Sequence, residues 1–178
     1  MRVVDLPVLP TVLLDVAAWF VVHMGTSLLA LWMPDRWFAR DSRLYRSRPW
    51  EQDGRFYERW FRIRRWKDRL PDGGRFFRAG FSKRNLAGRH PGYLSIFLLE
   101  SRRGELTHWI AVLPAPLFFL WNPPGVGWFM LGYALFMNLP CILVQRYNRP
   151  RFRRLLERSE NGTAAIPKDD GGRDTDVG

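Results

Sequence analysis

Three long stretches of the chain are almost free of charge, and polar, mostly basic segments separate them. Residues 8–33 are mostly apolar, with Asp15 and His23 as interruptions. About 20 apolar residues suffice to cross a bilayer, so this run predicts a transmembrane helix. Further apolar runs over 105–122 and 126–145 predict a second and a third crossing.

A cleaved signal peptide is the main alternative for the first run. Such a peptide has a basic start, a shorter apolar centre and small residues at its cleavage site. Here Asp5 offsets Arg2, the run is long, and residues 29–34 offer no suitable site. We therefore expect a retained anchor that Pro34 ends. Because a carboxylate facing lipid is costly, we expect Asp15 to face another helix or to lie near the outer interface.

The second and third runs both contain proline. Pro114 and Pro116 would kink the run over 105–122, which is short, so a re-entrant segment stays open as an alternative to a full crossing. In the third run we expect Asn138 and Pro140 to break the helix before its end.

The segment between the first two runs is soluble in character and strongly basic. Residues 34–104 contain nineteen Lys or Arg and eight Asp or Glu, an excess that equals the whole net charge of +11. Phe56, Trp60, Ile63 and Lys67 recur there at helical spacing, with arginines on the other faces. This pattern predicts an amphipathic helix lying on an anionic membrane surface.

The charges also predict an orientation. The basic segment 34–104 and a second basic segment, 146–158, flank the apolar runs, whereas the turn at Asn122–Gly125 is uncharged. The positive-inside rule places both basic segments in the cytoplasm and the turn and N-terminus outside. We predict an all-α membrane protein with about three transmembrane helices, a basic cytoplasmic interfacial region, a basic cytoplasmic helix and a disordered tail over 159–178.

The remaining composition excludes several kinds of site. Cys141 is the single cysteine, so no disulfide within the chain and no cysteine-based zinc site is expected. The Glu-x-x-His spacing of Glu105 and His108 also occurs in di-iron helix bundles, but those need a second copy of the motif, which this sequence lacks, so we expect neither a metal nor a cofactor. Serine-hydrolase elbows, phosphate-binding loops and the His-x4-Asp pattern of glycerolipid acyltransferases are missing from the sequence. No nucleic-acid partner is expected, because no recognised module accompanies the charge.

Glu105 and His108 are candidates for acid–base chemistry, at the start of the second apolar run. Residues three apart lie on one face of a helix, with Cβ atoms about 5–6 Å apart. A carboxylate beside an imidazole fixes its tautomer and raises its basicity, as a general base requires. The alternative is structural: a glutamate in a first helical turn favours the helix dipole, and the histidine is merely interfacial.

A second cluster of hydrogen-bonding groups, Gln145–Arg151, follows the third apolar run. Arg146 and Arg149 are suited to holding a phosphate or pyrophosphate. Arginines that only anchor the end of a crossing are the alternative. Anchoring alone does not require Tyr147 and Asn148.

The two clusters together resemble a known family. The matching segments are Glu100–Trp109, Asn138–Pro140 and Val144–Arg151. Through them the chain resembles the glycosyl-4,4'-diaponeurosporenoate acyltransferase family, which includes the last enzyme of staphyloxanthin biosynthesis. The resemblance covers residues 31–155. Further matching positions are Pro34-Asp35, Trp60-Phe61, Arg64, Trp66-Lys67 and Asp72-Gly73.

The resemblance implies a membrane-bound enzyme that esterifies the glucose 6-hydroxyl of a glycosylated carotenoid acid with a fatty acyl group. The expected partners are a glycosylated lipid acceptor, a fatty acyl donor that is a thioester co-substrate, and a membrane with anionic headgroups. We expect a multi-pass protein of the cell membrane with its active site at the cytoplasmic face.

We predict that His108 removes the proton from the sugar hydroxyl and that Glu105 orients His108. Arg103 and Arg146 are predicted to bind the donor's phosphates or to stabilise the oxyanion. The other predicted substrate-binding residues are Tyr147, Asn148 and Arg149. The alternative function is a non-catalytic membrane module that binds anionic lipid or docks a partner membrane protein.

Overall fold

The computed structural model describes residues 4–70 and 91–164 of the 178-residue chain. Within these ranges the chain forms α-helices and short 3-10 segments, without a β-strand. The helices are α1 (Val8–Trp32), α2 (Arg55–Phe61), α3 (Pro91–Val112) and α4 (Pro124–Ala164). The 3-10 segments are Asp35–Trp37, Pro49–Gly54, Ile63–Arg65, Lys67–Arg69 and Ala115–Leu120.

An antiparallel hairpin of α3 and α4 forms the centre of the fold. Gly104 lets the two helices approach closely, since a Cβ at this position would lie 3.3 Å from Gln145 Nε2. At one end of the hairpin the rings of Phe97 and Phe152 contact each other at a tilt of 32°, with their centroids 3.9 Å apart. Beyond α3, the 3-10 segment Ala115–Leu120 continues along α4 to the connecting turn.

The first helix, α1, is attached to this hairpin near both of its ends. Near its start, the buried Asp15 carboxylate accepts hydrogen bonds from Trp121 Nε1 and Asn122 Nδ2, both at 2.7 Å. Asp15 therefore faces the turn that follows the 3-10 segment Ala115–Leu120 and not another helix, and its position near the outer interface stays a prediction. Immediately after α1, Met33 lies in an apolar cluster that includes Leu106 of α3.

The chain after α1 folds over the C-terminal half of α4. Tyr57 and Ile63 are buried there against Val144 and Tyr147. Gly54 allows the close approach: its φ is +89°, and a Cβ on it would lie 2.9 Å from the Tyr147 carbonyl oxygen. Only glycine adopts this conformation readily.

This arrangement differs from the predicted amphipathic helix. The helix α2 ends at Phe61, because Arg62 takes a left-handed conformation with a φ of 48°. Ile63 and Lys67 therefore lie in 3-10 segments, and Ile63 is fully buried while Trp60 is exposed. The predicted helical face was wrong, since burial against α4 outweighs the helical periodicity of this segment.

The helix α4 is continuous over 41 residues, where the sequence predicted separate helices over 126–145 and 146–158. Pro140 lies inside it, so the expected break was wrong. A proline removes one helical hydrogen bond, and the packing of α4 along α3 compensates for that loss.

The bounds of α3 and of the tail also differ from the sequence predictions. The helix α3 begins at Pro91, well before the predicted start at residue 105. The helix α4 continues to Ala164, inside the segment predicted to be disordered. The rest of that tail, and the match at Asp72-Gly73, lie outside the described residues.

Two helices are long and apolar enough to cross a membrane: α1 over Val8–Trp32 and α4 over Pro124–Asn161. Many of their large apolar side chains are exposed, among them Leu13, Phe20, Phe129 and Phe136. Exposed apolar surface of this extent marks a membrane or a partner interface.

Candidate active site

A buried carboxylate, that of Glu105, joins α3 to α4. The Glu105 side chain is 0 % exposed. Its Oε1 accepts a hydrogen bond from Arg146 Nε at 2.7 Å, and its Oε2 accepts one from Arg149 Nη2 at 2.6 Å. Both carboxylate oxygens are therefore occupied by charged donors, which form the stronger kind of hydrogen bond.

A second buried carboxylate, that of Glu51, completes this group. Glu51 is 1 % exposed and accepts a hydrogen bond from Arg146 Nη1 at 2.7 Å. We call Glu51, Glu105, Arg146 and Arg149 the charge cluster. Its two negative and two positive charges balance, as buried ions require to remain ionised.

The charge cluster also holds the chain that follows α1. Arg149 Nη1 donates to the Tyr45 carbonyl oxygen at 2.9 Å, and Arg146 Nη2 donates to the Leu44 carbonyl oxygen at 2.7 Å. The two arginines therefore connect α3, α4 and the 44–51 segment through fixed hydrogen bonds.

His108 lies one helical turn beyond Glu105 on α3, and its partner is Asn138 of α4. The His108 Nδ1 is 2.9 Å from Asn138 Oδ1. Asn138 Nδ2 donates to the Ala134 carbonyl oxygen at 2.9 Å, so its Oδ1 is the atom that faces the imidazole. Since an amide oxygen only accepts, the hydrogen-bond network assigns the proton to Nδ1. The Nε2 of a neutral His108 then carries the lone pair that a general base uses.

The predicted pair of Glu105 with His108 does not form. The antiparallel packing of α3 on α4 places Arg146 and Arg149 at the Glu105 carboxylate, and ionic hydrogen bonds to them occupy both of its oxygens. Asn138 takes the predicted role of Glu105 as the group that orients the imidazole. The feature of the sequence that could have revealed this partner is the polar amide of Asn138 in the middle of an apolar run.

Arg103 lies outside the charge cluster. Its Nη1 donates to Glu100 Oε1 at 3.0 Å, and its Nη2 pairs with Asp35. Its guanidinium also lies over the Phe38 ring, 5.3 Å from the centroid. The structure therefore brings Arg146 and Arg149 together at one site, whereas Arg103 lies apart from them.

Tyr147 and Asn148 have different environments. Tyr147 is buried, its hydroxyl accepts a hydrogen bond from Arg64 Nε at 3.0 Å, and Arg151 lies over its ring. Asn148 is half-buried, and its side chain makes no hydrogen bond with the residues that the structure describes. Of the two, Asn148 has the amide available for a substrate.

Two tyrosines beside the charge cluster remain protonated. Burial, reinforced by the nearby Glu51 carboxylate, raises the pKa of Tyr57. Burial, reinforced by Glu105, likewise raises the pKa of Tyr45. Neither hydroxyl is therefore suited to act as a base near neutral pH.

Sequence reasoning missed Glu51 and the contacts of Asp41. The Asp41 carboxylate pairs with Arg102 Nη2 at 2.7 Å and also with Arg153. The feature of the sequence that could have revealed both residues is that each is a single acidic residue within a very basic segment. Within 4–70 and 91–164, no three His, Cys, Asp or Glu side chains come close enough together to hold a metal ion.

The matching family model and the similar known proteins carry the same family name. The model of the glycosyl-4,4'-diaponeurosporenoate acyltransferase family matches residues 41–158. Proteins of that name from Staphylococcus aureus are similar to the chain. The protein of strain bovine RF122 / ET3-1 is 34% identical over 138 residues, which cover 78% of this chain and 83% of the relative. That of strain USA300 is 33% identical with the same coverage.

No solved structure matches the chain. The family match includes Glu51, Glu105, His108, Asn138 and both arginines of the charge cluster. The chain belongs to the glycosyl-4,4'-diaponeurosporenoate acyltransferase family, a family of acyltransferases.

Proposed function

We propose that this protein transfers a fatty acyl group from a thioester donor to a sugar hydroxyl of a glycosylated carotenoid, at the cytoplasmic face of a membrane. Membership of the family supports the reaction class and the acceptor. The observation that carries the catalytic assignment is the His108–Asn138 hydrogen bond, which leaves Nε2 free to accept a proton.

In the proposed reaction His108 Nε2 removes the proton of the sugar hydroxyl as its oxygen attacks the carbonyl carbon of the thioester. A C–O bond forms, the C–S bond breaks, and the thiolate takes the proton back from His108. The products are the sugar ester and a free thiol, so neither an oxidant nor a metal is needed for the balance.

Asn138 is the positioning residue of this mechanism. Its amide oxygen accepts the Nδ1 proton and so holds the imidazole in one tautomer. The charge cluster has a structural role in the proposal: it fixes the α3 turn that precedes His108 relative to α4. Asn148 is the remaining predicted acceptor contact, because its amide is not engaged among the described residues.

The proposed membrane arrangement has three crossings, with the N-terminus outside. The Val4 backbone nitrogen donates to the Leu120 carbonyl oxygen at 3.1 Å, and Asp15 bonds to Trp121 and Asn122. The start of α1 therefore lies beside the uncharged turn. We assign this end to the outside. The charge cluster lies away from the turn along the α3–α4 hairpin, and we assign it to the cytoplasmic interface.

The test is acyl transfer by the purified full-length chain in lipid nanodiscs, with an acyl thioester and a glycosylated carotenoid acid. We expect His108→Ala to lower kcat by about 10²–10⁴-fold, the usual contribution of a general base. Asn138→Ala should lower kcat with little change in KM or in the unfolding temperature. The matched control is His23→Ala, the same change at an exposed histidine of α1.

Unchanged turnover of His108→Ala would contradict the assignment of the base. A loss of activity in Asn138→Ala that follows a fall in folded protein would mean that Asn138 is only structural. Transfer to glycerol phosphate in place of the glycosylated acceptor would overturn the proposed acceptor class.

A further inference from the structure

A basic groove lies on the segment between α1 and α2. Its volume is about 680 Å³, and its walls are formed by residues of 43–55. Four arginines line it, Arg43, Arg46, Arg48 and Arg55, together with one carboxylate, Asp53. The size falls within the range of roughly 300–1,000 Å³ that is usual for small-molecule sites.

Among the residues that the structure describes, the four groove arginines have no acidic partner, unlike the other arginines near the site. Within the described parts of the chain, none of their guanidinium groups lies within 4.0 Å of a carboxylate. Arg146 and Arg149, in contrast, are each paired with buried glutamates. The Asp53 carboxylate is turned to Arg154, at 3.6 Å. The groove therefore presents uncompensated positive charge in a concave surface.

The groove is formed by a chain segment that is held in place. The Leu44 and Tyr45 carbonyl oxygens accept hydrogen bonds from the charge cluster, and Glu51 belongs to that cluster. The turn that closes the groove contains Gln52 and Asp53 at positive φ, 47° and 56°. Fixed backbone at both ends gives the arginines a defined geometry, which phosphate recognition requires.

We propose that this groove binds the phosphate groups of the acyl donor, a nucleotide-linked thioester of the coenzyme A type. The proposal rests on the proposed acyl transfer. Arg146 connects the two sites: it donates to Leu44 and Glu51 on the groove segment and to Glu105, one helical turn from His108. A donor whose phosphates occupy the groove would extend its flexible thioester arm toward His108.

This assignment moves the phosphate contact away from Arg103, Arg146 and Arg149. Carboxylates already occupy those three guanidinium groups. Binding a phosphate there would break buried ion pairs, whereas the groove arginines give up water and, at Arg48 and Arg55, hydrogen bonds to backbone carbonyl oxygens. Anionic lipid headgroups are the other source of the same chemistry, and the experiment separates the two.

The experiment uses the full chain in nanodiscs of zwitterionic lipid and measures the binding of coenzyme A by equilibrium dialysis. The test variant combines Arg43→Gln, Arg46→Gln and Arg48→Gln. The matched control combines Arg59→Gln, Arg65→Gln and Arg69→Gln, which removes the same charge from exposed arginines outside the groove. We expect the Kd for coenzyme A to rise at least tenfold in the test variant and less than twofold in the control.

The second measurement compares the kinetics of acyl transfer from the complete donor and from a truncated donor. With the coenzyme A thioester, the test variant should show a KM raised at least tenfold and an unchanged kcat. With an acyl-pantetheine thioester, which lacks the nucleotide phosphates, the test variant and the unaltered protein should have equal KM values. This pattern cannot arise from general damage to the fold.

Equal weakening of coenzyme A binding in both triple variants would overturn the proposal, as would unchanged binding in the test variant. In a second set of nanodiscs that contain phosphatidylglycerol, loss of that lipid from the test variant, with coenzyme A binding retained, would assign the groove to lipid headgroups instead. The dialysis measurement does not require turnover, so it tests the groove independently of the reaction. A failure of the proposed acyl transfer would be seen separately, in the kinetics of the His108 variants.

Discussion

Glu105 is a fully buried ion whose two oxygens face two arginines of another helix. Of these, Arg149 is 2 % exposed and has Glu105 as its sole carboxylate partner among the described residues. An isolated charge in such a place is strongly unfavourable, so the residue is needed for folding whether or not it takes part in the chemistry.

We expect Glu105→Gln to destabilise the protein by about 3–5 kcal/mol, the usual cost of removing one partner from a buried ion pair. The physical reason is that Arg149 stays charged and buried without its carboxylate. Thermal unfolding in nanodiscs measures the effect. The control is Glu157→Gln, an exposed glutamate of α4, which should change the stability by less than about 0.5 kcal/mol.

An unfolding temperature equal to that of the unaltered protein would contradict this role for Glu105. A variant that folds normally but has lost acyl transfer would return Glu105 to the active site as a group that acts on His108 or on substrate.

The junction of the 3-10 segment Pro49–Gly54 with α2 decides whether the groove segment docks on α4. Gly54 has a φ of +89°, and its α-carbon faces the Tyr147 carbonyl oxygen. The left-handed conformation costs a non-glycine residue roughly 1–2 kcal/mol, and a side chain here would also displace α2 from α4.

Gly54→Ala should therefore lower the stability by at least about 1–2 kcal/mol. Because the groove is held by the same contacts, the variant should also bind coenzyme A more weakly. Gly25→Ala in α1 is the matched control, since nothing lies within 4 Å of the added methyl group. That variant should match or slightly exceed the unaltered protein in its unfolding temperature, and a Gly54→Ala variant that does the same would disprove the close docking of α2.

The whole molecule divides into an apolar layer and a basic cap. The layer contains α1, the chain from Leu106 to the turn, and the first half of α4, which over 126–144 would span about 28 Å at 1.5 Å per residue. This length is close to the roughly 30 Å of a bilayer core. The cap contains the charge cluster, the groove and the basic end of α4.

Cysteine labelling in intact cells tests the three-crossing arrangement. In a Cys141→Ala background, single cysteines are introduced as Val4→Cys, Gly125→Cys and Arg158→Cys. A membrane-impermeant maleimide should label the first two in intact cells and the third only after permeabilisation. Labelling of residues 125 and 158 from the same side would contradict the crossing of α4.

The helical content and the apolar layer could be predicted from the sequence. Run length, proline positions and the separation of charged from uncharged segments are properties of neighbouring residues, and they indicated α1, its end before Pro34 and the apolar part of α4. The bounds that were wrong lie where packing opposes local preference. Pro140 stays inside α4 because α3 packs along it, and α2 ends early because Ile63 is buried.

The sequence predicted several of the site residues but few of the residues that they pair with. His108, Glu105, Arg146 and Arg149 stood out as polar groups beside apolar runs, a pattern visible along the chain. Their pairing depends on the register of two antiparallel helices, which brings Asn138 to His108 and Arg149 to Glu105 across 30 and 44 residues. Sequence spacing carries no information on that register. For this reason only the folded chain distinguishes arginines that hold the structure from those left to bind a substrate.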